Sequence, residues 1–192
     1  MSASSFDGIK HNLLDKLKEL DPRLSYHSIN HTLDVLKHTE RIALQEGINN
    51  TRTIYLLKLA ALYHDCGFLF VYNGHEEKSC EIFLADADQL SVTDDEIDVV
   101  TDLIMVTKLT NLPVTHLQKI IRDADVDYLG RPDFFEIAAL LKDELLAYHI
   151  VSDEREWDEQ QKDFLKNHHY YTHSSQLLRE PVKLANLNLI VS

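Results

Sequence analysis

Four side chains of the sequence, two imidazoles and two carboxylates, form the kind of ligand set that binds divalent metals. They are His31, the adjacent pair His64 and Asp65, and Asp123. Imidazole nitrogens and carboxylate oxygens together suit Mn, Mg, Fe, Ni, Co or Zn. Neighbouring residues of a helix point about 100° apart, so His64 and Asp65 need ligands from other parts of the chain to close a metal site. The sequence therefore predicts one metal centre that is assembled from three separate segments.

The pair His64 and Asp65 follows a segment, residues 54–63, in which Lys58 is the single charged residue. A helix that is apolar on nearly every side belongs in a protein interior. An ionised carboxylate at the end of such a helix is unfavourable unless a partner neutralises it, and a divalent metal is one such partner. The alternative is local, with Asp65 capping or pairing nearby and His64 hydrogen-bonded in the core. For an isolated His-Asp pair this alternative is the commoner one.

The helical spacing of apolar residues indicates the elements that carry these side chains. His31 lies on a helix predicted between residues 28 and 47, and it shares an inward stripe with His38, which is expected to be a packed core histidine. A helix predicted over residues 115–128 places Asp123 on one face. Further helices are predicted over residues 6–20, 75–85, 93–104, 134–145 and 157–165, with a terminal helix after residue 168.

These patterns predict an all-α fold, a single-domain helical bundle over residues 1–192. The motif-bearing core covers about residues 26–131, and the helices of residues 132–192 pack on it. A length of 192 residues suits one domain with a substantial core. The apolar fraction of 44% and the charged fraction of 27% are those of a globular protein.

Charge and composition limit the partners of the protein. The formal charge of −13 argues against a broad nucleic-acid surface, although a metal and a few bases can still create a local site for a small phosphorylated substrate. No apolar run approaches the length of a membrane span, and the first residues lack a signal-peptide pattern. Cys66 and Cys80 form no disulfide framework. We therefore expect a cytoplasmic protein with free thiols. The sequence leaves its oligomeric state open, with a homodimer as one option.

Four segments resemble one known family. The segment YHSINHTLDVLKHTERIA, which contains His31, resembles the first-histidine helix of the HD-domain metal-dependent phosphohydrolases, and LAALYHDCGF resembles their His-Asp helix. GHEEKSCEIF and RDADVDYLGR are similar to segments of a bacterial group of predicted HD phosphohydrolases. The resemblance covers about residues 26–131. It implies an α-helical fold, hydrolysis of phosphate esters or anhydrides, and a divalent metal held by the four residues named above.

Two features set this sequence apart from parts of the family that it resembles. Members with two metals have extra histidines between the His-Asp pair and the last aspartate, whereas this interval contains only His75 and His116. The interval has no double histidine and no Gly-Tyr-Pro motif follows it, which disfavours the branch that hydrolyses cyclic dinucleotides. One complete metal site is therefore expected.

Four further residues are candidates for catalytic roles around the metal. His75, Glu76 and Lys78 lie at the start of a helix after the apolar loop of residues 68–74, from which His75 can return over the metal. Lys108 is a candidate phosphate clamp on a later loop. The alternatives are structural, because a carboxylate such as Glu76 suits any helix N-terminus and a lysine can simply be solvated.

The prediction that follows is a metal-dependent phosphohydrolase that acts on a small phosphorylated, nucleotide-like substrate through a metal-activated water. The alternative is a non-catalytic nucleotide-binding sensor, or a helical interaction module, that retains the metal site. The complete ligand set favours the enzyme, since a scaffold has no need to bury two carboxylates. One group of residues near the C-terminus has no assigned role and is expected to form a surface cluster rather than a pocket wall: His168, His169, Tyr170 and Tyr171.

Overall fold

The structure, a computed structural model, describes residues 5–191 of the chain, and these residues form nine α-helices. The helices are α1 (Phe6–Leu17), α2 (Ile29–Gln45), α3 (Thr51–Tyr63), α4 (His75–Asp86), α5 (Asp94–Met105), α6 (His116–Asp125), α7 (Phe134–Ala147), α8 (Glu154–Asn167) and α9 (His173–Val191). Three 3-10 turns lie at Cys66–Leu69, Ala87–Gln89 and Asp127–Gly130. No β-strand occurs within residues 5–191, so the predicted all-α fold is confirmed. None of these helices is both long enough and apolar enough to cross a lipid bilayer.

Helix α3 lies at the centre of the first of two hydrophobic clusters, as its apolar sequence predicts. Leu59 and Leu62 have no exposed surface, and α3 contacts α1, α2, α4, α5 and α6. The helix is capped at its C-terminal end by His64, and at Asp65 (φ −108°, ψ 2°) the backbone turns into the 3-10 turn Cys66–Leu69. The two polar side chains of His64 and Asp65 therefore lie at the end of the interior helix, where the chain changes direction.

A close backbone approach joins this 3-10 turn to α4. A Cβ atom on Gly67 would lie 2.0 Å from the carbonyl oxygen of His75, which is far too short for any side chain. The amide of Gly67 also donates a hydrogen bond to Ser79 Oγ at 2.8 Å. Because glycine permits this approach, the first residue of α4 is held beside the end of α3.

The second hydrophobic cluster lies among α7, α8 and α9 and begins where α6 ends. Ala124 belongs to the first cluster and Val126 to the second, so the chain crosses between them at Asp125. The predicted helix over residues 115–128 is wrong at its end, because α6 stops at Asp125 and Val126 leaves the helical region (φ −111°, ψ 21°). The residues that follow form a 3-10 turn that contacts α9.

The buried carboxylate of Asp127 anchors this turn through a network of charges. It has no exposed surface, and its Oδ1 atom accepts hydrogen bonds from Arg41 Nη2 at 2.6 Å and from Arg179 Nε at 2.9 Å. Its Oδ2 atom lies 3.3 Å from His38 Nδ1 and 3.8 Å from Arg131 Nη1. His38 is therefore buried, as its place on the inward stripe of α2 predicts, but its neighbours are charged groups. The network joins α2 and α9 to the turn between the two clusters.

Candidate metal centre

The structure brings three of the four predicted ligands together. His31 lies near the start of α2, and its Nε2 atom is 3.3 Å from Nε2 of His64, although the two residues are 33 positions apart in the chain. Oδ2 of Asp65 lies 3.1 Å from His64 Nε2 and 3.3 Å from His31 Nε2. One ligand atom from each of the three residues lies within 4.8 Å of the other two. The ends of α2 and α3 thus meet at one cluster of ligand atoms.

Asp123, the fourth predicted ligand, binds elsewhere, and Asp125 lies in the expected position instead. Oδ1 of Asp125 is 3.2 Å from His31 Nε2 and 3.5 Å from His64 Nε2. The carboxylate of Asp123 accepts hydrogen bonds from the backbone N–H of Thr172 at 2.8 Å and from its hydroxyl at 2.7 Å. Residues two apart in a helix project about 200° apart, so the two aspartates serve different sides of α6. We therefore replace Asp123 by Asp125 in the candidate ligand set.

In this metal centre the two carboxylates favour the protonated form of the two imidazoles, and the imidazoles favour the ionised form of the carboxylates. Burial lowers the pKa of His31, but the carboxylates of Asp125 and Asp65 outweigh burial and raise it to about 9. For His64, too, burial is outweighed, and the same carboxylates hold its pKa well above the ordinary value. Burial raises the pKa of Asp65 and of Asp125, but the two imidazoles outweigh it and hold both values well below the usual range. The carboxylates therefore stabilise positive charge at this point, whether protons or a cation carry it.

Two further observations show that the set fits a divalent metal. Nδ1 of His64 donates a hydrogen bond to the carbonyl oxygen of Ala61 at 2.9 Å, which leaves Nε2 of the neutral ring as a free ligand atom. The buried Oδ2 atom of Asp65 makes no hydrogen bond to any residue in the described range. Such an oxygen needs a positive charge beside it, which either a bound metal ion or the two neighbouring imidazoles in their protonated form can supply. The residues that would hold the ion are His31, His64, Asp65 and Asp125.

His75 and Glu76, the first two residues of α4, lie beside the metal centre. Nε2 of His75 is 3.6 Å from Oδ1 of Asp65 and 3.6 Å from Oε1 of Glu76. Nδ1 of His75 donates to the carbonyl oxygen of Tyr72 at 3.0 Å, and the ring stacks on Phe68 with the centroids 3.8 Å apart. These contacts orient the imidazole with Nε2 towards the carboxylates. An oriented imidazole in this position can transfer a proton at the edge of the metal centre.

A cavity of about 500 Å³ opens beside these residues. Part of its wall is polar and is formed by Asp65, Asp125, His75 and Glu76. Another part is formed by apolar residues of α7 and α8. Two of the candidate ligands, Asp65 and Asp125, therefore face a space that can accept a small molecule.

Lys108, the predicted phosphate clamp, lies on the loop after α5 and lines this cavity. Its ammonium group forms an ion pair with the exposed carboxylate of Glu77. Lys78 instead pairs with Glu81 at 2.7 Å and is not among the described residues that line the cavity. The structure thus distinguishes two lysines that follow the His-Asp pair, because one faces the cavity and the other does not.

His27 and Glu144, for which the sequence predicts no role, support the site from behind Phe68. The ring of His27 stacks on Phe68 with the centroids 4.3 Å apart, and its Nδ1 atom contacts a carboxylate oxygen of Glu144. Glu144 has no exposed surface and also accepts a hydrogen bond from the hydroxyl of Tyr72 at 3.1 Å. His27 could have been noticed as a histidine four residues before His31. Glu144 lies 117 residues from His27 and gives no local signal.

Residues 168–172, which we name the C-terminal strap, connect α8 to α9 and bind α6. Tyr170 has no exposed surface, and its hydroxyl donates to the carbonyl oxygen of Asp127 at 3.3 Å. The prediction that these residues form a surface cluster is therefore wrong for Tyr170, which is buried. The amide of Tyr171 donates to Asp123 Oδ1 at 2.9 Å. Burial nevertheless raises the pKa of Asp123, because it outweighs the hydrogen bonds from the strap.

His168, the first residue of the strap, is expected to make stability depend on pH. Both of its ring nitrogens are buried and have no hydrogen-bond partner in the described part of the chain. Burial, together with the charge of Lys183, lowers the pKa of His168 to about 3. Below about pH 6.5 the unfolded chain therefore binds a proton that the folded chain does not, so the free energy of unfolding decreases as the pH falls. Urea unfolding between about pH 7 and about pH 5 should show a larger loss for the wild type than for His168→Leu.

The matched control for this prediction is His169→Leu, because His169 is exposed. This variant should lose as much unfolding free energy between the two pH values as the wild type does. Equal losses in the wild type and in His168→Leu would show that another group causes the pH dependence.

A family model described as HD domain matches residues 28–128, which is more than half of the chain. The matched range contains all four residues of the candidate metal centre. Searches of curated proteins and of solved structures gave no match. Both the match and the arrangement of histidines and aspartates at the ends of α2, α3 and α6 lead to one conclusion, that the chain belongs to the HD-domain family, a superfamily of metal-dependent phosphohydrolases.

Proposed function

We propose that this protein is a metal-dependent phosphohydrolase that cleaves a small phosphorylated substrate. The observation that carries the proposal is the four-residue metal centre, with its buried carboxylate oxygen that lacks a hydrogen bond, beside a cavity of about 500 Å³. Membership of the HD-domain family supports the same class of reaction. When bound, a divalent metal supplies a Lewis acid for a phosphoryl oxygen and lowers the pKa of a water.

His75 is the proton donor in this proposal. Its Nδ1 atom is engaged by the carbonyl oxygen of Tyr72 at 3.0 Å, so Nε2 is the nitrogen that can exchange a proton with a substrate. The carboxylate of Glu76 lies 3.6 Å from Nε2. In this role His75 donates a proton from Nε2 to the oxygen that leaves phosphorus.

Lys108 provides positive charge for the phosphoryl group. It is the one lysine among the described residues that line the cavity, and none of those residues is an arginine. Its partner Glu77 is exposed, and an exposed ion pair contributes little to stability. The ammonium group can therefore move to a phosphoryl oxygen without leaving a buried carboxylate unpaired.

Replacing either His75 or Lys108 is expected to slow hydrolysis without removing the metal. The loss of a contact made in the transition state typically reduces turnover on the order of 10²–10³-fold, and neither side chain belongs to the metal centre. Turnover and bound metal should be measured for His75→Ala and for Lys108→Ala. Lys78→Ala is the matched control and should change neither quantity, because Lys78 pairs with Glu81. Full turnover in both variants would assign these two residues purely structural roles.

The proposed function is tested with a panel of phosphate compounds and several metals. The panel contains nucleoside mono-, di- and triphosphates, cyclic nucleotides, alkyl phosphates and an aryl phosphate, each with Mn, Mg, Ni, Co or Zn. Hydrolysis that requires an added metal and disappears in Asp65→Asn supports the proposal. The nucleotides of the panel test the nucleotide-like substrate that the sequence predicts. Micromolar binding of a nucleotide without hydrolysis of any compound would instead support the non-catalytic sensor.

A further inference from the structure

The wall of the cavity beside the metal centre divides into a polar part and an apolar part. The polar part contains two of the four candidate metal ligands, Asp65 and Asp125, together with the first residues of α4 and the loop that carries Lys108. The apolar part includes Phe134, Leu141, Leu145, Trp157, Phe164 and Leu165. These six residues belong to α7 and α8, which lie beyond the residues that match the HD-domain family. The apolar wall is therefore a feature of this chain rather than of the family motif.

The charges on the cavity wall suit a single phosphoryl group. Asp65, Glu76 and Asp125 contribute carboxylates, and Lys108 contributes the one ammonium group of the described lining. A nucleoside di- or triphosphate brings several negative charges, and this wall would leave most of them unpaired even with a divalent metal present. A substrate with one phosphoryl group is the better electrostatic match.

The apolar part of the wall offers few partners to a sugar or a nucleobase. Each hydroxyl or ring nitrogen that loses water without gaining a partner disfavours binding. The side-chain amides that α8 contributes are those of Gln160 and Gln161, and Gln160 is exposed. Phe134, Trp157 and Leu165 are buried, and the indole N–H is their single polar group. A hydrocarbon group, in contrast, loses no hydrogen bond here and gains by leaving water.

We propose that the substrate is a phosphate monoester of an apolar alcohol, with its phosphoryl group at the metal centre and its hydrocarbon group against α7 and α8. This inference rests on the proposed phosphohydrolase function and specifies its substrate class. In the reaction, a water oxygen forms a bond to phosphorus and that water releases one proton to solvent, from which His75 later regains the proton that it donates. The bond from phosphorus to the alcohol oxygen breaks, and that oxygen keeps the electron pair and takes a proton from His75. The products are inorganic phosphate and the free alcohol.

Binding can be measured without turnover, because Trp157 is the single tryptophan of the chain and lines the cavity. Alkylphosphonates have a carbon–phosphorus bond, which the proposed reaction does not cleave. Butyl-, hexyl- and octylphosphonate, each below its micelle-forming concentration, should change the Trp157 fluorescence of the Mn-loaded protein. Their affinity should rise about fourfold with each added methylene group. The phosphonate analogue of adenosine monophosphate should bind more weakly than octylphosphonate.

Two adjacent leucines of α7 distinguish binding in the cavity from a general effect on the fold. Leu141 lines the cavity, whereas Leu140 is exposed and is not part of the described lining. Leu141→Gln should weaken octylphosphonate binding about tenfold, because the hydrocarbon then meets an amide, and should affect butylphosphonate much less. Leu140→Gln should bind all three compounds as the wild type does. The melting temperature of each variant verifies that it is folded.

Different results would contradict the proposal of an apolar substrate and the proposal of a phosphohydrolase. An affinity that does not rise with chain length, or tighter binding of the adenosine phosphonate than of octylphosphonate, overturns the apolar substrate. Metal-dependent turnover of another phosphate ester would then still support a phosphohydrolase. If the alkylphosphonates bind as expected but octyl phosphate is not hydrolysed with any metal, the apolar recognition is supported and the proposed hydrolysis is overturned.

Discussion

Asp125→Asn should remove the metal and abolish hydrolysis, whereas Asp123→Asn should leave the metal bound. Oδ1 of Asp125 lies 3.2 Å from His31 Nε2, inside the candidate metal centre, and an uncharged amide in its place is a much weaker ligand. Replacing a residue that only supports a ligand typically reduces metal affinity about 10–100-fold, so loss of the ligand itself should exceed about 100-fold. Asp123 makes its hydrogen bonds to Thr172 and Tyr171 in the strap, so its replacement should lower stability instead.

Elemental analysis of the reloaded proteins gives the metal content per chain, and circular dichroism verifies that both variants are folded. Turnover is measured with whichever phosphate compound the wild type hydrolyses. A folded Asp123→Asn variant without metal, together with a metal-bound Asp125→Asn variant, would restore Asp123 as the ligand.

Asp127→Asn should lower the free energy of unfolding by about 3–5 kcal/mol, although it hardly changes the size of the side chain. The carboxylate has no exposed surface and neutralises Arg41 and Arg179. The side chains of these arginines are only 22% and 14% exposed, so an amide at position 127 leaves two positive charges close together and largely shielded from water. Urea unfolding at neutral pH measures the effect.

Asp133→Asn is the matched control for this prediction. Asp133 binds Arg131 at 2.9 Å, but its side chain is 45% exposed. Exposed ion pairs contribute about 0–1 kcal/mol, so this variant should unfold nearly as the wild type does. Similar unfolding free energies for the two variants would mean that the burial of the Asp127 network adds nothing to stability.

The all-α fold and much of the metal centre could be predicted because their signals are local. The apolar sequence of α3 requires burial on nearly every side, and His64 and Asp65 follow it directly. His31 lies on the inward stripe of an amphipathic helix, and the structure places it against the end of α3. In each case a helix-length segment contains all the information that the prediction needs.

The choice between Asp123 and Asp125 depends on contacts that no such segment contains. The amide donors that bind Asp123 lie 48 and 49 residues further along the chain, at Tyr171 and Thr172. The end of α6 at Asp125 also coincides with the passage of the chain from one hydrophobic cluster to the other, and no proline or glycine lies at that point. Helical periodicity carries no information about either effect.

The cavity could not be predicted from the sequence for a different reason. Phe134, Leu141 and Leu145 recur at helical spacing, and this pattern predicts an apolar face on α7. The structure uses the same face to line the cavity beside the metal centre. Periodicity distinguishes an apolar face from a polar one, but it does not distinguish a packed neighbour from an open space.

The strap also determines when, during synthesis, the metal centre can be completed. A ribosome adds about 5–20 residues per second, so the candidate ligands, of which Asp125 is the last, are made a few seconds before residues 168–172. Until Tyr171 and Thr172 follow, the carboxylate of Asp123 has no strap amide to bind, and burying it would leave a charge unpaired. We therefore expect the end of α6, and Asp125 with it, to dock stably only after the strap has been made. We likewise expect the ion to bind after residues 168–172 have been made, rather than when Asp125 has been made.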